Sequence, residues 1–224
     1  MTTASPALSD RSMSERIYHE LRAQIITGAL LPGTRLRERE LAVELGVSRI
    51  PLREALPQLE ADGFIQSANR RGAIVTELTL RDVQELFDVR LGVEVYATKL
   101  AARRVAGGAS AADLRAAMAS ADEVLETRDV NRIAETNAEL HEAIVHLAGN
   151  SLLQNMMSSV SGRDRWIFRM TSDRDPVVAC REHHELCQAI YAGDAELAGA
   201  ISYSHIEKGR TPTVETLKFV LPEG

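Results

Sequence analysis

The chain has 224 residues, 45% of them hydrophobic but only 4% aromatic, with a formal net charge of −6. That length leaves ample chain for a real core in one or two domains. No apolar run approaches the ~20 residues of a membrane span, and the N-terminus lacks the apolar core of a secretory signal. Few aromatics with many Ala and Leu favour helix over sheet. Residues 1–11, rich in Thr, Ser, Ala and Pro, read as a disordered N-terminus. Ser12 or Ser14 is placed to cap a helix running to about Thr27, with Ile17, Leu21 and Ile25 on one face. Gly28 ends it, and residues 31–34 form a turn.

Residues 36–75 hold the most informative pattern. A helix with Leu41, Ala42 and Leu45 on one face stops at Gly46, and Ser48 offers a side-chain oxygen to the free N–H groups of a second helix. That second helix carries Leu52, Ala55, Leu56 and Leu59 on its buried side, with Arg49 and Arg53 projecting together four residues apart. After Asp62 and Gly63 come two short extended runs, 64–66 and 73–75, joined by a segment with Arg70 and Arg71 at its tip. Two helices, a tight turn and a basic-tipped hairpin make a winged helix-turn-helix over residues 12–77. Such a unit presents Arg49 and Arg53 to phosphates or to the O6/N7 edge of guanine, while the hairpin tip follows the backbone or minor groove. The competing reading is a small helical domain with ordinary solvated arginines. The net charge of −6 does not exclude nucleic acid, because it is unevenly spread. Residues 1–76 hold 10 Arg and no Lys against 9 acids, and the remainder carries the acidic excess. Local placement governs contact within a Debye length of ~10 Å.

From residue 78 onward every element reads as helix, and the short boundary near 76–78 implies closely coupled domains. Thr79 and Asp82 form a capping box for a helix to about Val105 carrying Val83, Leu86, Phe87, Arg90, Leu91, Glu94 and Ala97. After Gly107 and Gly108, Ser110 with Asp113 starts a helix to about Glu126, and Asp129 starts one ending at Gly149. Ser151 is read as the cap of a helix through Met170. A polar loop, 171–176, precedes helices over 177–192 and 194–210, separated by Gly193. The tail, 211–224, has no strong pattern, although Val214, Leu217, Phe219 and Val220 can dock on a partner surface. The predicted fold is mainly α: an N-terminal winged helix-turn-helix, a helical bundle over 78–210, and the tail. Cys180 and Cys187 are seven apart on a helix, about 10 Å along its axis, so they cannot bond to each other, which fits a reducing cytoplasm.

Five of the six histidines lie at or after position 141. Asn137 and His141 are four apart and point the same way; His183 and His205 sit on two later helices. Three imidazoles and an amide oxygen, if they converge, make a five- or six-coordinate site with open positions, suited to Zn²⁺ or Ni²⁺. The bland alternative is surface or core histidines on amphipathic helices. Cys180, His183 and Cys187 also share a helix face, so a Cys/His zinc site is a rival arrangement.

The run PGTRLRERELAVELGVSRIPLREALPQLEADGFI, closing with RRGAIV, resembles the DNA-binding domain of the GntR family of transcriptional regulators. The resemblance implies DNA contacts by Arg39, Ser48, Arg49, Arg53 and Gly72, with Arg35 and Arg71 as further candidates. Two departures stand out: Arg37 replaces a helix-capping Ser, and Pro57 lies inside the recognition helix, where it favours a bend. The phrases NAELHEAIVHLAGN and EHHELCQAIYAGDAELA, with His205, resemble the FCD ligand-binding domain of FadR-type members. That implies a divalent metal held by Asn137, His141, His183 and His205, with a neutral Asn where many members have Asp. His184 faces about 100° away and is left out. Arg90, one turn before Glu94, matches the family's R-x-x-x-E and is the candidate contact for an effector carboxylate, the alternative being an Arg90–Glu94 pair on the helix surface. Trp166 and Arg169 line the effector cavity or simply pack. The whole resemblance implies a cytoplasmic homodimer on a palindromic double-stranded operator, a repressor released by a small organic acid. Two alternatives remain: a regulator that senses the metal itself, and a His-metal hydrolase. The hydrolase lacks a recognisable general base at a suitable spacing and follows a DNA-binding domain, so no enzyme activity is expected.

Overall fold

The computed structural model describes residues 12–68, 72–171 and 175–224. The expected disordered N-terminus, the hairpin tip with Arg70 and Arg71, and residues 172–174 of the 171–176 loop lie outside those residues. The chain divides into two compact units, Met1–Glu77 and Leu78–Gly224.

In the first unit α1 (Met13–Ile26) opens with Ser12 accepting from the Glu15 N–H while Glu15 reaches back to the Ser12 N–H. This reciprocal cap satisfies two free donors. Ile17, Leu21 and Ile25 then face the core. A strand that the sequence pattern did not announce follows, β1 (Arg35–Arg37). After it come α2 (Glu38–Glu44), α3 (Arg49–Ala61), β2 (Ile65–Ala68) and β3 (Gly72–Val75). The three strands form an antiparallel sheet in the order β1-β3-β2, with Leu36 opposite Ala73 and Ser67 opposite the same residue on the other side. Leu52, Ala55 and Leu59 of α3 are fully buried against α1, while Leu56 is half-buried. Gly46 takes φ +64° in the turn between α2 and α3, a conformation that costs other residues energy. Ser48 occupies the cap position of α3 but its side chain makes no capping hydrogen bond, contrary to the sequence expectation. The α3 helix runs through Pro57 without a break.

Among the described residues the second unit holds six helices: α4 (Leu80–Ala106), α5 (Ala112–Thr127), α6 (Val130–Ala148), α7 (Ser151–Arg169), α8 (Pro176–Tyr191) and α9 (Ala195–Leu217). Thr79 and Asp82 form the expected capping box at α4. Asp129, Asp175 and Asp194 cap α6, α8 and α9 through their carboxylates, each worth about 1 kcal/mol. Two starts differ from expectation. Asn150, not Ser151, caps α7, and Ala111 precedes α5 without a side-chain cap, Ser110 accepting from Ala112 N instead. The last helix also passes Arg210: Pro212 removes one N–H, but burial of Thr213 and Leu217 carries the helix to Leu217. Beyond it the chain returns to the start of α4, where Leu80 N–H and Arg81 N–H donate to the Pro222 and Glu223 carbonyls.

Helix α4 packs against α6, α7, α8 and α9. Along its seam with α9 the residues are small: Ala97, Thr98, Ala101 and Ala102 on α4, Ala198, Gly199 and Ser202 on α9, with the Thr98 and Ser202 hydroxyls 3.3 Å apart. Short side chains let the two axes approach closely, which brings long polar side chains further along the same helices together inside the bundle.

Candidate functional site

The recognition helix α3 exposes Ser48, Arg49 and Arg53 at its N-terminal end, and Arg39 is exposed on α2. Arg53 Nε donates to Glu38 Oε2 at 2.7 Å while its side chain stays 45% exposed, so Glu38 orients it toward the surface. Arg35 is exposed on β1. Glu60, near the C-terminal end of α3, accepts from both the N–H and the hydroxyl of Ser67 at 2.6 Å and so ties β2 to the recognition helix. Gly72 has a steric reason to be glycine: a Cβ there would lie 2.7 Å from the Leu36 carbonyl oxygen of the neighbouring strand. Arg71 falls outside the described residues. Sequence reading passed over Ile50, whose side chain is 71% exposed between the two arginines. An apolar group at that place matches the C5-methyl of thymine, the apolar feature of the major groove.

Inside the second unit three helices each deliver one imidazole: His141 from α6, His183 from α8 and His205 from α9. All three are buried, and one ligand atom from each lies within 4.8 Å of the others. The Nε2 atoms of His183 and His205 are 3.1 Å apart. Carboxylates fix two of the rings from behind. His141 Nδ1 is 2.8 Å from Glu94 Oε2, and His205 Nδ1 is 2.9 Å from Glu182 Oε2. A ring that donates Nδ1–H to a carboxylate keeps its Nε2 lone pair for a ligand, the usual support of a metal-binding histidine. His141 Nε2 is buried and has no hydrogen-bond partner among the described residues. An imidazole nitrogen left bare in a polar pocket is costly in a protein core and satisfied by a cation, so these residues fit a metal. Asn137 is half-buried one turn before His141 on α6, on the same side by its spacing.

Comparison with known proteins bears on both regions. Residues 13–75 match the family described as bacterial regulatory proteins, gntR family, and residues 85–208 match the FCD domain. The chain belongs to the GntR family of bacterial regulatory proteins, in the branch that carries an FCD domain. The HTH-type transcriptional regulator YdhC of Bacillus subtilis (strain 168) is 30% identical over 216 residues, covering 93% of this chain and 92% of the relative. A probable D-xylose utilization operon transcriptional repressor of Paenarthrobacter nicotinovorans is 28% identical, covering 92% of this chain and 91% of its own. A crystal structure of a putative GntR transcriptional regulator from Rhodococcus sp. RHA1 superposes with a TM-score of 0.73 at 26% identity, covering 92% of this chain and 99% of that one. This GntR-family chain is therefore a transcriptional regulator with a DNA-binding winged domain, not an enzyme.

The regulator's Arg90 does pair with Glu94, as the alternative to an effector contact had it, but inside the bundle and not on the helix surface. Its side chain is 2% exposed, donates to Glu94 at 2.6 Å through Nε, and places Nη1 3.0 Å from Asp164 on α7. The rings of Phe87 and Phe168 flank it, 5.5 and 5.2 Å from the guanidinium carbon. Burial alone would weaken its charge, but Asp164 and Glu94 overcome that and raise its pKa. Burial likewise opposes the charged Glu94, yet Arg90 and His141 hold its carboxyl well below the usual range. Asp164 goes the other way: burial pushes it up to about 6, and Arg90 pulls it back only in part. Asp164 and Glu182 were invisible to sequence reading, since each lies on a different helix from the group it touches. The rival Cys180–His183–Cys187 set is not brought together among the described residues: His183 turns inward to the histidines, while Cys180 Sγ lies 3.3 Å from Asp122 Oδ1. Trp166 is buried and Arg169 exposed.

Proposed function

We propose that this regulator is a dimeric repressor whose helical domain holds a divalent metal, zinc or nickel, and releases DNA when a small organic acid enters. The observation that carries the reading is the set of three buried imidazoles, two of them buttressed by carboxylates, with the bare Nε2 of His141 among them. His141, His183 and His205, with Asn137, are the residues that would hold the ion. When bound, it supplies a Lewis-acidic centre with open positions for an oxygen ligand. Arg90 is committed to Glu94 and Asp164, so its part as an effector contact consists of exchanging one of these carboxylates for that of the acid. Val89 and Tyr96 on α4, and Leu152 and Met156 on α7, are exposed apolar pairs at helical spacing that support self-association. The effector shifts DNA affinity by its differential affinity for two arrangements of the dimer, typically about 1–3 kcal/mol.

The local charge favours a second reading, in which the ion itself is the signal. Glu94, Asp164 and Glu182 stand around the histidines, paired with the buried Arg90 and the exposed Lys208, and this group of buried carboxylates favours a cation there. Operator binding titrated with chelator, with metal, and with metal plus candidate carboxylic acids separates the two. Release by metal alone establishes the sensor; release only when acid accompanies metal establishes the proposal. In the same assay Arg49→Ala is expected to weaken operator binding by about 1–3 kcal/mol, as for loss of a bidentate guanine contact. Unchanged affinity would take Arg49 out of the interface.

A further inference from the structure

We propose that Asp122, Cys180 and His184 form a second divalent-metal site, open to solvent and specific for a thiophilic ion of the zinc class. Cys180 and His184 are one turn apart on α8 and project to the same side, where α5 packs beside them and contributes Asp122. Asp122 Oδ1 lies 2.8 Å from His184 Nε2 and 3.3 Å from Cys180 Sγ, and the three ligand atoms all fall within 4.8 Å of one another. Tetrahedral zinc with ordinary bond lengths separates such atoms by roughly 3.4–3.6 Å. The two distances to Asp122 Oδ1 fall slightly short of that separation, so the carboxylate has only a small movement to make.

The donors themselves narrow the ligand. A sulfur, an imidazole nitrogen and a carboxylate oxygen suit zinc, whereas magnesium and calcium take all-oxygen shells. The Cys180 thiol donates to Asp122 Oδ1, the oxygen that also faces His184 Nε2, so all three ligand groups converge on one point. Cys180 is backed by the apolar core between α5 and α8, so its sulfur is held in place, while Asp122 and His184 keep 46% and 47% of their side chains exposed. That combination leaves the fourth position to water. The site is separate from the buried histidines. His183 and His184 are neighbours in the chain, but successive helical residues diverge by about 100°, and one ring points into the bundle while the other points out. An ion bound outside would clamp α5 to the helix that carries His183.

Cobalt(II) titration of the full-length, metal-stripped protein under reducing, oxygen-free conditions tests this, because only a thiolate ligand gives sulfur-to-cobalt charge transfer in the near ultraviolet. The buried histidine site contains no sulfur. The band is expected in the unaltered protein, in Cys187→Ser and in His183→Ala. It should vanish in Cys180→Ser, which should also bind one zinc fewer per chain, and His184→Ala should weaken cobalt binding at least tenfold. Absence of the band from the folded parent protein overturns the site. So does a band that survives Cys180→Ser or is lost in Cys187→Ser. None of these outcomes depends on whether the inner site binds metal.

Discussion

Replacing Arg90 with methionine is expected to cost about 3–5 kcal/mol of folding stability, the range found when one partner of a buried ion pair is removed. The side chain is 2% exposed, bridges Glu94 and Asp164, and lies between two phenylalanine rings. Methionine retains most of the volume and suits the aromatic contacts, so the loss reports uncompensated carboxylates rather than a cavity. Urea unfolding with an unchanged slope measures it, and the double variant Arg90→Met with Asp164→Asn should recover part of the deficit. A loss under about 1 kcal/mol, the range of exposed pairs, would show that the pair is solvated. The same network sets a pH dependence. Asp164 is raised from its ordinary 3.8 to about 6, so its contribution to folding is complete below 3.8 and is lost as pH rises to about 6. Glu94 is depressed, and its contribution is already complete above its ordinary 4.5. Between about pH 4.5 and 6 the stability of Asp164→Asn should therefore fall less with rising pH than that of the parent protein.

What could be read from the sequence was whatever local chemistry decides. The capping boxes at Ser12/Glu15 and Thr79/Asp82 are fixed by residues three apart, and the structure contains both. Where two neighbouring residues can each cap, as with Asn150 and Ser151, the choice depends on backbone angles that composition does not encode. Strand β1 escaped because its three residues bury a single side chain, Leu36, and become a strand only by pairing with β3 far along the chain. The helix end at Arg210 fell short because the residues after it show no strong apolar pattern, whereas the burial of Leu217 that continues the helix is tertiary. At the site the same division holds. Histidines at 141, 183 and 205 are singled out by their places on three helices and by the motif resemblance, and the structure brings their rings together. Their carboxylate supports were not legible: Glu182 is adjacent to His183 yet serves His205 on another helix, a relation that only the packing of α8 on α9 creates.

Zinc or nickel added to metal-stripped protein should stabilise it by about 4 kcal/mol when the free ion exceeds the dissociation constant a thousandfold. The measurement belongs in a Cys180→Ser background, so that a thiolate site contributes nothing and the buried histidines are read alone. His183→Ala should abolish most of the gain by removing one of the three donors while leaving both carboxylate-supported rings. Glu182→Gln is the more discriminating change. It leaves every donor in place but removes the anion behind His205 Nδ1, and loss of such a support lowers metal affinity about 10–100-fold. A purely structural role for Glu182 would lower the stability of the stripped protein and leave the increment due to metal untouched. The two outcomes separate cleanly because the increment is taken within each variant. If the folded, stripped protein gained nothing from either ion, the three imidazoles would be a hydrogen-bonded core cluster. The 3.1 Å contact between His183 and His205 would then be its centre, and the bare nitrogen of His141 its cost.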